Sequence, residues 1–109
     1  MVGFSSCTVL LSDNHAVARL HGELDACTVS CLTARLMPIA MTGRDTIIDV
    51  AGLDFVDTAG VVALIDVQRE ARRAGGSLRL TKPPRPLRRL LHLAGIEGQF
   101  TIVDHVPSG

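Results

Sequence analysis

The pattern of hydrophobic and polar positions divides the chain into segments with two different periods. Apolar stretches at 7–11 and 15–21 flank a polar Ser-Asp-Asn turn, and the second stretch alternates with a period of two. This pattern predicts a β-hairpin whose second strand is closed by Gly22-Glu23-Leu24-Asp25. The β-branched and almost wholly apolar run at 46–50 is typical of a strand buried on both faces. Two further strands are predicted, at 77–81 and 99–103.

The first of three predicted helices follows the hairpin and repeats its apolar positions every three to four residues. Its apolar face consists of Thr28, Val29, Leu32, Leu36 and Ile39. Asp25 lies where an N-cap acceptor is expected. Pro38 removes one backbone donor and should kink or end the helix nearby.

The second helix follows a predicted loop at 51–56 and carries the most regular apolar stripe of the chain. That stripe consists of Gly60, Val61, Leu64, Val67, Ala71 and Ala74. Asp57 can cap this helix, and Gly75-Gly76 ends it. The third helix is predicted at 86–94, with a proline in its first turn and Gly95 as its stop.

The predicted order of elements is β-β-α-β-α-β-α-β. Strands that alternate with helices imply parallel neighbours joined by right-handed crossovers, with the antiparallel hairpin strand at one edge. We therefore expect one α/β domain over residues 1–109, with a mixed and mostly parallel sheet and three helices.

Composition narrows the class of protein. The 109 residues are 47% hydrophobic, which suffices for a core. No apolar run is long enough to span a membrane, and the N-terminus lacks the pattern of a signal peptide, so we expect a cytoplasmic protein without membrane insertion. An odd total of three cysteines argues against a disulfide scaffold.

The charge is zero overall but unevenly distributed. The 11 basic and 11 acidic side chains cancel, which argues against a direct nucleic-acid partner. Residues 1–66 nevertheless carry −5, whereas residues 69–89 carry +7. We expect an acidic region around Asp25, Asp54 and Asp57, extended by Asp66, and a basic stretch that forms solvated surface.

The sequence lacks the motifs that catalysis usually requires. It has no phosphate-binding glycine loop, and no histidine stands at metal-ligand spacing from another histidine or a cysteine. We therefore predict a protein that is not an enzyme and that uses no cofactor or metal. Cys27 and Cys31 are too far apart on one helix for an unstrained disulfide, and they are either ordinary helix residues or, with Cys7, part of a redox switch.

The segment at 53–60 is the most informative one, because it joins a buried parallel strand to a helix, where α/β proteins place their sites. Thr58 should stand in the first helical turn with its hydroxyl outward. Thr58, Val62, Ile65 and Arg69 lie opposite the core stripe on a helical wheel. This row is either scattered surface apolarity or a protein-docking surface centred on Thr58.

Three motifs together resemble the STAS domain of bacterial anti-sigma factor antagonists. They are Gly22-Glu23-Leu24-Asp25 at a strand end, the segment 53–60 before a helix, and Gly75-Gly76 before Leu78-Arg79-Leu80. The resemblance covers about residues 7–104. The combination of G-E-L-D with D-[ST]-x-G is its most specific part.

This resemblance implies a function and a set of partners. Members of the family bind a GHKL-type serine/threonine kinase that also serves as an anti-sigma factor, and this binding frees the sigma factor. The kinase phosphorylates the hydroxyl residue after the motif aspartate, which ends binding, and a PP2C-type phosphatase restores it. The implied phosphoacceptor is Thr58. The expected partner-binding residues are Asp25, Asp57, Thr58, Gly60, Val62, Ile65 and Arg69.

Two departures from the family pattern concern the acceptor. Thr58 stands where serine is commoner, and Ala59 replaces a second hydroxyl residue, which leaves Thr58 as the one acceptor in the motif. The motif is also similar to D-T-[AG]-G in STAS subunits that dock on the ATPase of ABC lipid transporters. In that alternative, Thr58 is a contact residue and not an acceptor.

Overall fold

The computed structural model describes residues 6–103 of the chain. The elements in chain order are β1 (Ser6–Leu11), β2 (His15–Leu24), α1 (Val29–Ala40), β3 (Asp45–Val56), α2 (Thr58–Arg73), β4 (Ser77–Thr81), α3 (Arg85–Leu93), a short 3₁₀ helix (Glu97–Gln99) and β5 (Thr101–Val103). The order of strands and helices agrees with the predicted order, with the 3₁₀ helix as an addition.

The five strands form one sheet in the order β1-β2-β3-β4-β5. β1 pairs with β2 in the antiparallel sense, and every other neighbouring pair is parallel. Parallel neighbours need a crossover connection, and here each crossover contains a helix. The predicted fold class, an α/β domain with an antiparallel hairpin strand at one edge, is confirmed.

β3 is the central strand and supplies the middle of the core. Ile47, Ile48 and Val50 are all buried, as the sequence predicted for a strand covered on both faces. In β2, by contrast, burial alternates over 15–21, where Ala16, Ala18 and Leu20 are buried, and the last residue Leu24 is buried as well. α1 packs beside α2, and α2 packs beside α3, so that the apolar helix faces cover the core.

β3 is longer than predicted, because the segment 51–56 is strand and not loop. In this segment Gly52 pairs with His21 and Val56 pairs with Leu24. The pairing of β2 with β3 contains two register shifts, one just before His21 and one between Gly22 and Glu23. The extension exists because β2 also runs on to Leu24 and offers it a hydrogen-bonding partner. As a result, β2 and β3 end side by side.

The first helix begins later than predicted. α1 starts at Val29, with Thr28 as the N-cap residue, and Asp25 instead caps the turn before the helix. Pro38 lies inside α1 and is exposed, and the helix ends two residues later at Ala40. Leu32 and Leu36 of the predicted apolar face are buried, whereas its other members are half-buried.

The second and third helices follow their predicted patterns closely. The stripe of α2 from Gly60 to Ala71 is buried, but Ala74 is exposed because it lies one residue beyond the helix. α3 begins at Arg85 and is followed by Gly95, whose positive φ of 69° suits glycine. β5 is shorter than predicted, because Gln99 belongs to the preceding 3₁₀ helix.

Candidate functional site

Two helix starts meet at the edge of the sheet where β2 and β3 end. Leu24 and Val56 pair in register as the last residues of their strands. The backbone N–H of Asp57 then donates to the carbonyl of Leu24 at 3.1 Å. This bond ties the residue that caps α2 to the residue that precedes Asp25, so the structure brings Asp25 and Asp57 into the same region.

The start of α2 presents Thr58 to solvent. Asp57 is the N-cap residue, and its Oδ1 accepts a hydrogen bond from the Gly60 N–H at 3.1 Å, as predicted. Thr58 is the first helical residue and is exposed. Within residues 6–103, its hydroxyl has no hydrogen-bond partner. The α2 start therefore leaves one hydroxyl available to another molecule.

Gly60 holds α2 close to the end of β2. A Cβ at this position would lie 2.6 Å from the Leu24 carbonyl oxygen and 2.7 Å from Leu24 Cγ. Gly60 is itself buried, so it adds no exposed surface, and its expected part in partner binding stays a prediction. Its effect on the site is indirect, since it fixes how closely the α2 start approaches Leu24.

The start of α1 is closed by its own side chains. Asp25 Oδ1 accepts from the N–H groups of Cys27 and Thr28, at 2.9 and 3.1 Å. The Thr28 hydroxyl accepts from the Asp25 N–H at 3.0 Å and donates to the Glu23 carbonyl at 2.9 Å. Both Asp25 and Thr28 are half-buried. The polar atoms at this start are consequently engaged within the chain.

An exposed row continues from Thr58 along the outer side of α2. Val62 is 49% exposed and Arg69 is exposed, whereas Ile65 is half-buried and packs partly against the core. The structure adds Phe55, which is 49% exposed three residues before Thr58. Sequence reasoning missed Phe55 because it assigned this segment to a loop, in which side chains have no predictable facing.

Acidic and basic side chains occupy different parts of the surface. Asp54 and Asp66 are exposed on β3 and α2, whereas the basic side chains are concentrated from the end of α2 through α3. The exposed basic residues of this stretch are Arg69, Arg72, Arg73, Lys82, Arg85, Arg88 and Arg89. Arg73 pairs with Glu70 at 3.1 Å. Along α2, the acidic Asp57 therefore stands at the start of the helix, and the basic side chains stand toward its end.

The three cysteines are free thiols in different surroundings. Cys27 and Cys31 are exposed, and Cys7 is partly buried in β1. Burial raises the pKa of the Cys7 thiol, and the nearby Arg35 guanidinium acts in the opposite direction. Across residues 6–103, no group of three or more histidine, cysteine or acidic side chains is arranged to hold a metal ion.

No helix within the described part of the chain is long and apolar enough to cross a membrane.

Comparison with protein families and curated sequences links this architecture to known proteins. The family model described as "Mlab, STAS domain" matches residues 7–104. The chain is also 26% identical over 86 residues to the anti-sigma-B factor antagonist of Bacillus subtilis (strain 168), and this similarity spans 79% of each protein.

Solved structures of similar fold come from several bacteria. An anti-sigma factor antagonist from Mycobacterium paratuberculosis superposes with a TM-score of 0.82 at 19% identity, over 94% of this chain and 88% of that one. The Bacillus cell fate determinant SpoIIAA in its phosphorylated form gives a TM-score of 0.72 at 24% identity, over 93% of this chain and 92% of that one. At such identities these two likenesses show a shared fold.

Proposed function

Because the chain belongs to the STAS domain family, we propose that it acts as an anti-sigma factor antagonist. In this role it is a binding protein and not an enzyme. It binds an anti-sigma factor of the GHKL kinase type and thereby releases a sigma factor. The similarity to the anti-sigma-B factor antagonist of Bacillus subtilis supports this assignment.

The observation that carries the proposal is the exposed Thr58 at the first position of α2, whose hydroxyl has no partner among residues 6–103. It follows the N-cap Asp57, and the half-exposed Phe55 and Val62 come three residues before it and four residues after it. Exposed apolar side chains around one polar group are typical of surfaces that bind proteins. A partner that docks on this surface would reach the Thr58 hydroxyl directly.

Phosphorylation of Thr58 by the bound kinase is the proposed switch. A phosphate adds about two negative charges at pH 7, so the group formed with Asp57 would change from about one negative charge to about three. The added charge would sit among Phe55 and Val62, where an apolar partner surface would have to desolvate it. Binding would therefore end, and a PP2C-type phosphatase would restore it.

The test uses purified protein with each GHKL-type kinase that the source genome encodes, in the presence of ATP. Peptide mass spectrometry then locates the phosphate. We expect it on Thr58, retained in Thr58→Ser and lost in Thr58→Ala. Thr8→Ala, which changes an exposed threonine of β1, is the matched control and should be phosphorylated like the parent.

A phosphate on another residue would contradict the acceptor assignment, and so would the absence of phosphate with every such kinase. Binding provides an independent measurement. Thr58→Glu should lose affinity for the kinase, whereas Thr58→Ala should bind it as the parent does. Equal affinity of Thr58→Glu and the parent would contradict the switch.

The motif Asp57-Thr58-Ala59-Gly60 supports a second candidate, docking on the ATPase of an ABC lipid transporter. In this case Thr58 contributes a contact without being modified. The two candidates differ in one measurement: Thr58→Ala should weaken docking on the ATPase but should leave the kinase complex intact. Genes for transporter components beside this one would favour the second candidate.

A further inference from the structure

An open cavity of about 450 Å³ lies between α1 and the β1–β2 hairpin. Most of its surface is aliphatic, with Leu20, Leu24, Leu32 and Leu53 in the lining. Sites for small molecules are typically concave, a few hundred Å³ in volume, and apolar with a few polar groups that orient the ligand. In size and lining, the cavity is suited to a small molecule with a hydrocarbon body.

Two polar residues of the lining mark two ends of the cavity. The N-cap residue Thr28 and Arg35 of α1 both line it and stand about two helical turns apart, about 10 Å along the helix axis. The backbone carbonyl of Glu23 lies at the Thr28 end, where it accepts from the Thr28 hydroxyl. Cys7 belongs to the Arg35 end, since the guanidinium acts on its thiol. The cavity is thus elongated, with a cation at one end and a hydroxyl bonded to a backbone carbonyl at the other.

We propose that this cavity binds a linear aliphatic carboxylate, with its chain among the leucines and its carboxylate on Arg35. A guanidinium matches a carboxylate with two parallel hydrogen bonds, and leucine side chains favour a hydrocarbon chain over water. The Thr28 end gives the site a direction, because the Thr28 hydroxyl already donates to the Glu23 backbone carbonyl and so offers no hydrogen bond to a second carboxylate on the ligand. The site therefore selects monocarboxylates over dicarboxylates.

The end of this cavity that lies away from Arg35 adjoins the start of α2. Leu24 lines the cavity, and the same residue accepts the Asp57 N–H through its carbonyl and contacts Gly60. A chain that fills the cavity would therefore touch the residue on which the start of α2 rests.

The three cysteines provide a direct measurement. Cys7 and Cys31 line the cavity, whereas the exposed Cys27 lies outside its lining. We would titrate the protein with decanoate below its micelle concentration and follow alkylation of each thiol by peptide mass spectrometry. Decanoate should slow the alkylation of Cys7 and Cys31 several-fold and leave Cys27 unchanged. Octanoate should require an about fifteenfold higher concentration, because two methylene groups fewer are buried.

Two variants separate the roles of charge and cavity. Arg35→Gln should weaken protection by decanoate but not by the neutral decanol, and Arg89→Gln, an exposed arginine of α3, is the matched control. Ala34→Phe, at an exposed lining position, should block protection without changing the core. The dicarboxylate decanedioate should not protect the parent protein.

The proposal is overturned if decanoate fails to slow Cys7 alkylation up to its solubility limit. It is also overturned if all three thiols slow equally, which would indicate a detergent effect. Equal protection of Arg35→Gln and the parent by decanoate would refute the placement of the carboxylate.

Discussion

The starts of α1 and α2 lie at the same edge of the sheet, and each combines an aspartate with a threonine, yet they use these residues in opposite ways. At α1, the Thr28 hydroxyl is half-buried and bonded to Asp25 and Glu23. At α2, the Thr58 hydroxyl is exposed, and Asp57 accepts from the Gly60 N–H without bonding to this hydroxyl. The surroundings of a threonine, and not its proximity to an aspartate, decide whether its hydroxyl is available to another molecule.

The two starts also differ in what holds them to the sheet. Asp25 and Thr28 close the α1 start through side-chain hydrogen bonds. The α2 start is held by one side-chain cap and by the close contact of Gly60 with Leu24. Removing a side-chain hydrogen bond should therefore destabilise the α1 start more than the α2 start. Adding a side-chain atom at Gly60 should destabilise the α2 start.

The largest expected effect comes from Gly60→Ala. Its Cβ would lie 2.6 Å from the Leu24 carbonyl oxygen, and backbone cannot move aside as a flexible side chain can. We expect a loss of about 2 kcal/mol in the free energy of unfolding, although alanine is the better helix former. Urea denaturation measures this loss.

Gly98→Ala is the matched control for this prediction. Gly98 lies in the 3₁₀ helix, and no atom is within 4 Å of its added Cβ. Its stability should stay within about 0.5 kcal/mol of the parent. A Gly60→Ala protein as stable as Gly98→Ala would show that the contact with Leu24 does not fix the α2 start.

The second-largest expected loss of stability comes from removing the capping aspartate of either helix start, Asp25 or Asp57. Asp25→Ala removes an acceptor from two backbone N–H groups, and we expect it to cost about 1.5 kcal/mol. Asp57→Ala removes one such bond and should cost about 1 kcal/mol. Asp54→Ala, at an exposed position of β3, serves as the control in thermal unfolding. A larger loss of stability in Asp57→Ala than in Asp25→Ala would contradict the hydrogen-bond comparison.

The parts of the fold that the sequence predicted are those set by local periodicity. The buried stripe of α2 from Gly60 to Ala71 follows from spacing alone, and so does the central strand. The role of Asp57 as N-cap was equally readable, because a cap depends on residues within one turn.

The parts that the sequence missed depend on residues distant in the chain. The strand character of 51–56 requires β2 as a partner, and the exposure of Phe55 follows from that strand. The close approach that leaves no room for a Cβ at Gly60 is likewise made by Leu24, 36 positions earlier in the printed sequence. The late start of α1 is an exception with a local cause: Asp25 was expected to cap the helix directly, but Thr28 bonds to the nearby Asp25 and Glu23 and becomes the N-cap residue.

A smaller effect separates the two threonines. Thr28→Val keeps the branched shape but leaves the Asp25 N–H and the Glu23 carbonyl without this partner, so we expect a loss of about 1 kcal/mol. The same change at Thr58 removes a hydroxyl that is bonded to no described residue, and stability should change by less than about 0.5 kcal/mol. Equal losses in urea denaturation would mean that the Thr58 hydroxyl is also engaged within the fold.

The smallest effect on stability is expected for Thr58→Glu. The helix N-terminus favours an added negative charge, whereas the neighbouring Asp57 opposes it, so the net change should be below about 0.5 kcal/mol and should shrink further in high salt. Thr58→Gln, which has the same size without the charge, is the control in both urea denaturation and kinase-binding measurements. If Thr58→Glu lost affinity only by losing stability, the proposed switch would act by disordering the α2 start. Loss of affinity at unchanged stability, with Thr58→Gln less affected, would instead mean that the charge acts at the docking surface, as the exposure of Thr58 leads us to expect.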